Sequence, residues 1–389
     1  MFRKMSGENT EEEKMMAIDL ETEANVEGAK IKVIGVGGGG NNAVDRMIEA
    51  GVDKAEFICV NTDAQQLSNV KAGTVLQIGS KITNGLGAGA KPEIGREAAE
   101  ETKEELKKLI ADADMVFVTA GMGGGTGTGA APIIAETAKS LGILTVAVVT
   151  KPFFFEGPQR MRNAEEGIKM LAEKVDALVT IPNDLLFKIA DKNTSIEESF
   201  KLADDVLRHG VQGIIEVITQ RGIVNCDFAD VRTIMKDSGV AHMGIGIGKG
   251  EEAAQEAVMN AIESPLLETS IEGAQNVLLN ITGGTEFSLV EMGQVSSIVK
   301  DKVSPDANII VGTAKDDSLK DEIKVTLIAT GLDMSAKSGG SVGQTRRDSF
   351  TSSAPASSAS RNSEDAVFTR KLRPGMDSIN VPSFFNPNK

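Results

Sequence analysis

The chain has 389 residues, 41% hydrophobic and 25% charged, with a net charge of −15. That length suggests more than one structural unit around a sizeable core, and the acidic balance argues against a nucleic-acid footprint on the body. Cys59 and Cys226 lack metal-ligand spacing, no apolar run reaches membrane-spanning length, and the start carries no apolar leader core, so a cytoplasmic protein without membrane insertion is expected.

Residues 1–29 are acidic and polar and are expected to form a disordered arm. Lys30–Val36 predicts a strand that runs into a glycine loop, Gly37–Asn42, and then a helix, Ala43–Glu49. Gly38, Gly39 and Gly40 let a ligand approach the backbone, and the amides of Asn41 and Asn42 can face a phosphate, a base or a metal's water. Gly35, Gly37 and Gly40 also satisfy G-x-G-x-x-G, which keeps a nicotinamide-dependent oxidoreductase as a rival class. That pattern is weak alone, and a Walker A lysine motif is absent.

Glu56–Asn61 and Val75–Ile78 predict further strands. Asn84–Ala90 is another glycine-rich loop, in which Ala88, Gly89 and Ala90 are placed to close over a terminal phosphate. Glu93–Ala111 predicts one charged helix. Next comes a buried strand, Met115–Ala120, then Gly121–Gly129, then a helix over Ala130–Leu141 with Pro132 in its first turn. Strand, glycine loop and helix aim backbone N–H groups at an anion: Gly123, Gly124, Gly125, Gly127 and Gly129 free the backbone, while Thr126 and Thr128 supply hydroxyls. With a strand at Thr145–Thr150, the order is α/β around a mostly parallel, Rossmann-like sheet, and ligands belong at the strands' carboxyl ends.

Glu156 and Arg160 can bond a ribose and a phosphate, or simply each other at i,i+4 spacing. Ala177–Ile181 predicts a strand leading to Asn183. Asn193–Thr219 predicts a helix about 35–40 Å long, opened by a capping box of Thr194 and Glu197 and carrying one apolar stripe. Phe200 and Asp204 share a face near its start, where a base can stack on the ring while the carboxylate accepts two N–H bonds; guanine presents such a donor pair and adenine does not. Past this helix stand Asn225, Asp227 and Asp230, the last placed to cap a helix over Val231–Asp237. The remainder, to about residue 331, predicts a smaller mixed α/β domain in which His242 is a core residue. From Leu332 the chain becomes rich in Ser, Gly, Ala and Thr, a flexible linker, and Asp377–Lys389 ends it as a short apolar-bearing peptide suited to docking a partner.

The run Gly123–Gly129, GGGTGTG, is the signature of the tubulin/FtsZ family of GTPases, and about residues 31–331 resemble that family's bacterial cell-division branch. The resemblance implies GTP or GDP with Mg²⁺ held through the phosphates, the first and third glycine loops on those phosphates, Glu156 and Arg160 at the ribose, and Asn183, Phe200 and Asp204 at the guanine. It implies that Asn225, Asp227 and Asp230 enter the nucleotide pocket of the next subunit and complete a GTPase site in a head-to-tail homopolymer of the midcell division ring. It further implies that the tail docks a membrane-tethering FtsA-like adaptor, although Asn380 and Phe385–Asn388 depart from the family's usual ending. The implied layout is a GTP-binding domain (30–192), a central helix (193–221), an activation domain (222–331), a linker (332–371) and a docking tail (372–389). A tubulin-like plasmid-segregation filament is the alternative inside the family.

Overall fold

The computed structural model describes residues 28–188, 194–219, 226–264, 270–284, 287–316, 319 and 321–332. These belong to one of two compact units, residues 1–336; the other, 337–389, holds most of the expected linker and the whole tail and lies outside the described residues. The acidic arm up to residue 27 and Asn225 lie outside them too.

Six strands run parallel in the order β3-β2-β1-β4-β5-β6: β1 (Ile31–Val36), β2 (Glu56–Asn61), β3 (Thr74–Gln77), β4 (Met115–Gly121), β5 (Leu144–Lys151) and β6 (Ala177–Pro182). Successive side chains leave opposite faces. Ile31 and Val33 of β1, with Met115 and Phe117 of β4, enter one core; Ile34 and Val36, with Val116 and Val118, enter another. Burial on both faces is why these strands read as unbroken apolar runs. The first core is closed by α1 (Gly37–Glu49), the 24-residue α8 (Ile196–Thr219) and α9 (Phe228–Met235). The second is closed by α4 (Pro92–Glu101), α5 (Lys103–Ile110), α6 (Thr126–Ser140) and α7 (Pro158–Ala172). Two single-turn helices, α2 (Ala64–Leu67) and α3 (Ser80–Thr83), flank β3.

The second half of the body continues the same sheet. The first residues of β7 (Gly239–Lys249) pair in parallel with Ala177–Val179 of β6, and the rest pairs antiparallel with β10 (Glu322–Thr330). β8 (Asn276–Gly283) and β9 (Asn308–Lys315) complete ten strands. A third core lies between these strands and the helices α10 (Ala253–Ile262) and α11 (Leu289–Lys302). The alternating glycines of β7 let α10 lie flat on it: side chains at Gly246 or Gly248 would collide with the carbonyls of Ala257 and Ala253. His242 is buried in this sheet, as expected.

Several expected boundaries shift for local reasons. The glycine runs are not loops throughout, because α1 begins at Gly37 and α6 at Thr126. Pro132 consequently sits in the interior of α6 rather than in its first turn. The expected helix over 93–111 breaks at Thr102, whose buried hydroxyl donates to Ala98 O (3.2 Å) and accepts from Gly79 N (3.2 Å). Tertiary bonding of one side chain thus overrides propensity there. The cap of α8 falls one residue later than expected: Ser195 and Glu198 exchange bonds (2.7 and 3.2 Å) in the capping box assigned to Thr194 and Glu197. Helix α9 is capped by Asp227 rather than Asp230, and Asp230 reaches back to Asp227 N (3.3 Å).

Candidate functional site

The carboxyl ends of β1, β4, β5 and β6 open into a cavity of about 450 Å³. At one end two helix starts face it. Neither α1 nor α6 has a side-chain cap on its first N–H groups, which leaves those donors and both positive helix ends for a ligand. Gly38, Gly39 and Asn42 line the cavity from α1, and Gly124, Gly125, Thr126 and Gly127 from the second glycine run. The two runs abut: a Cβ on Gly37, which has φ +70°, would stand 2.9 Å from Gly127 N. Gly124 has no atom within 4 Å where a Cβ would project, so any side chain there would take free space at the cavity. This narrow backbone cradle suits an oligophosphate.

Other expected residues of these loops serve the frame of the cradle. Gly40 would collide with Thr119 O if it carried a side chain, and Gly129 with Pro92 O. Asn41 is buried, and with its amide nitrogen turned toward the loop it donates to Gly35 O (2.8 Å) and Gly37 O (3.3 Å). The Thr128 hydroxyl accepts from Gly123 N (2.8 Å) and is fully buried, so it faces no ligand; that bond fixes the turn at Gly123. Ala88 is buried against Gly125, while Gly89 and Ala90 are exposed; Gly87 is the member of that loop that reaches the cavity.

The other end has a different character. Asn183 is 5% exposed, and among the described residues its Oδ1 has no hydrogen-bond partner. Phe200 is half exposed and meets Phe153 edge to face (centroids 5.4 Å). Burial pushes the Asp204 carboxyl up to about 7, against the opposing pull of Arg46. A desolvated carboxyl, an exposed ring and an orphaned amide oxygen fit a flat heterocycle with N–H donors. Between the two ends, Glu156 accepts from Phe153 N (2.9 Å) and pairs with Arg160; both line the cavity, so the ion pair and a ligand-facing position coexist.

Asn61, Asp63, Gln66, Thr150 and Pro152 also line the cavity and escaped the sequence reading. Asn61 and Thr150 lie at the ends of β2 and β5, Asp63 and Pro152 follow those strands, and Gln66 lies in α2, so the shared signal is a polar or breaking residue at or soon after a strand's carboxyl end. Asn61 Nδ2 donates to Gln66 Oε1 (2.8 Å), and Asp63 caps α2 through Gln65 N and Gln66 N. Among the described residues, no group of three or more His, Cys, Asp or Glu side chains could hold a metal. Asp227 and Asp230 do not line the cavity; they are exposed at the start of α9. In sequence they follow α8, about 36 Å long, which presents Phe200, Asp204 and Leu207 to the cavity from its first half.

A parallel α/β sheet with a backbone cradle at one end of its cavity and a donor-seeking carboxyl, ring and amide at the other defines a nucleotide-binding protein. Residues 30–191 match the GTPase domain of the Tubulin/FtsZ family, and residues 239–333 match the C-terminal domain of the FtsZ family. FtsZ from M. jannaschii, solved as an empty dimer, is 46% identical, with a TM-score of 0.76 over 83% of this chain and 93% of that one. A point mutant of M. jannaschii FtsZ gives 45% identity, the same TM-score, and coverage of 83% and 96%. The GDP-bound monomer of CetZ1 from Haloferax volcanii shares the fold at 21% identity, with a TM-score of 0.69 over 78% and 95%. The chain belongs to the tubulin/FtsZ family: it binds guanine nucleotide and hydrolyses GTP. That sets the oxidoreductase alternative aside.

Proposed function

We propose that this GTPase assembles head to tail, with GTP and Mg²⁺ held between successive copies and Asp227 and Asp230 of one copy completing the pocket of the next. One observation carries this: the cradle lies at the carboxyl ends of the parallel strands, whereas α9, which Asp227 caps, bonds at their amino side, Arg232 Nη2 donating to Gly142 O (3.3 Å) just before β5, and neither aspartate lines the cavity. A heterologous contact that does not close gives a filament. The cradle binds phosphate oxygens through backbone N–H groups, while Phe200, Asp204 and Asn183 hold the base and Glu156 and Arg160 the ribose side. Mg²⁺, when bound, neutralises charge on the phosphates; Asp63 and the amides of Asn42 and Gln66 face that end of the cavity. The aspartates of the incoming copy orient the attacking water, since phosphoryl transfer asks for positioning and charge neutralisation rather than covalent help.

Kinetics test this directly. Turnover per molecule should rise with protein concentration and level off once filaments dominate. A specific activity independent of concentration, down to where light scattering shows no assembly, would contradict a shared site.

The filament is proposed to serve a cell-division ring. Its similarity to FtsZ from M. jannaschii over 93% of that chain supports this, and the archaeal relatives remove any specific tie to bacteria. No helix among the described residues is long and apolar enough to cross a membrane. In this reading membrane attachment is assigned to an FtsA-like adaptor docked on the tail, residues 372–389, whose short apolar-bearing end suits a partner. A fluorescent fusion should form a transverse midcell band that disperses when the tail is removed; filaments along the cell axis would favour the plasmid-segregation alternative.

A further inference from the structure

Thr62 follows β2 directly, is fully buried, and places its Oγ1 2.6 Å from Oγ1 of Thr126, the first residue of α6. Thr126 lines the cavity and Thr62 does not. Each hydroxyl carries one proton, so the pair has two arrangements. In one, Thr126 donates to Thr62. In the other, Thr62 donates to Thr126, which frees the Thr126 proton for an acceptor in the cavity. An anion on the cradle selects the second arrangement and produces a chain, Thr62 to Thr126 to anion, in which each bond polarises the next.

The backbone of Thr62 joins the same residue to the neighbouring glycine loop. Its carbonyl accepts from Thr83 Oγ1 (3.3 Å), which also reaches Gly79 O (3.0 Å) and accepts from Gly85 N (3.3 Å). From there the loop runs through five left-handed positions, Asn84, Gly85, Gly87, Gly89 and Ala90. Two of these are not glycine, a conformation held only when its surroundings impose it. A shift of Thr62 is therefore felt at Thr83 and in a strained loop.

We infer that Thr62 is a positioning residue for the nucleotide: its hydroxyl orients Thr126 toward a phosphate oxygen, and its carbonyl links that contact through Thr83 to the loop 84–90. This rests on placing the phosphates on the glycine cradle. The substitution Thr62→Val keeps the shape and removes the hydroxyl. It should weaken binding of GDP and of a non-hydrolysable GTP analogue by about 3- to 10-fold, the scale of one net hydrogen bond. Guanosine, which has no phosphate, should bind as before. Thr62→Ser should restore nucleotide binding. Thr83→Val, which leaves the hydroxyl pair intact, should keep GDP affinity and raise hydrogen exchange in residues 84–90.

The inference fails if Thr62→Val binds GDP like the parent, if it weakens guanosine equally, or if Thr62→Ser does not restore binding. Should Thr62→Val not fold, unchanged exchange at 84–90 in Thr83→Val overturns the link to the loop, and an unrestored Thr62→Ser overturns the positioning role. Gly124→Leu separates this from the underlying placement. If the phosphates sit on the cradle, that variant loses GDP while keeping guanosine. GDP binding unchanged in Gly124→Leu would remove the phosphates from the cradle itself, whatever Thr62 does.

Discussion

Asp204 shows how much one half-buried carboxyl decides. Burial raises it from an ordinary value of 3.8 to about 7, and no cation is bonded to it among the described residues. In the proposed role the carboxylate form accepts from the ring N–H and the exocyclic amine of guanine. Below pH 7 the free site is protonated, so nucleotide binding must release a proton. Affinity should therefore fall as pH falls below about 7, toward tenfold per unit, and be flat above it. Calorimetry of GDP binding in buffers of different ionisation enthalpy reads that proton; binding without proton release at pH 6 would remove Asp204 from the base. The linkage to folding has the opposite sense. A carboxyl whose folded value is raised favours the fold at low pH and loses that contribution as pH rises from 3.8 to about 7, so GDP should stabilise most above neutrality. Asp204→Asn should bind GTP more weakly and lose its preference over ITP, which lacks the exocyclic amine. An undiminished preference in a competition assay would contradict the role. That Phe200 and Asp204 share a face, and so can line the cavity together, was legible because they stand four apart beside a capping signal. Asn61, Asp63 and Gln66 were not, since only the end of β2 brings them to the cavity.

At the scale of elements, the two glycine-led helices and α8 do the positioning. Strand–glycine–helix order was readable because the apolar runs and glycine clusters are adjacent in sequence. That glycines would enter α1 and α6 was not, because poor helix formers are held there by packing that sequence spacing does not show: Gly127 against Gly121 O, Gly129 against Pro92 O. Likewise the break at Thr102 depends on Gly79, 23 residues away. Gly129→Ala should consequently destabilise the protein by about 1–3 kcal/mol, the usual penalty for overpacking, though it faces away from the ligand. Chemical denaturation measures this, and an unchanged midpoint would show that α4 and α6 part freely. Helix α8 carries both the cavity-lining pair Phe200 and Asp204, proposed to face the base, and the connection onward. Ser195→Ala removes its cap and should cost about 1 kcal/mol of stability. Because Phe200 lies in the second turn, guanosine affinity should drop with it; a loss of stability with guanosine binding intact would mean that the first turn of α8 frays without moving the ring.

At the scale of the whole molecule, one ten-stranded sheet spans both halves, with β7 shared between them. The sequence predicted the α/β order and a second, smaller mixed half; it did not show that a single eleven-residue strand would pair with both, its first three residues with β6 and the remaining eight with β10. Helix α9 is tied to the amino side of the parallel strands, where Arg232 donates to Gly142 O just before β5, while the cavity opens at their carboxyl ends. The central claim, that one copy supplies the pocket and the next supplies the aspartates, is tested most directly by mixing two inactive variants. Asp230→Ala keeps the cradle but loses an aspartate, and it should bind GTP and assemble while hydrolysing about 10²–10⁴-fold more slowly. Gly124→Leu fills the cradle and keeps Asp230. Mixed in equal amounts, roughly a quarter of head-to-tail contacts would join an intact cradle to an intact Asp230, so GTP hydrolysis should reappear at that fraction of the parent rate. Hydrolysis no greater than the sum of the two variants alone, with both recovered together in sedimented filaments, would contradict a site shared between copies.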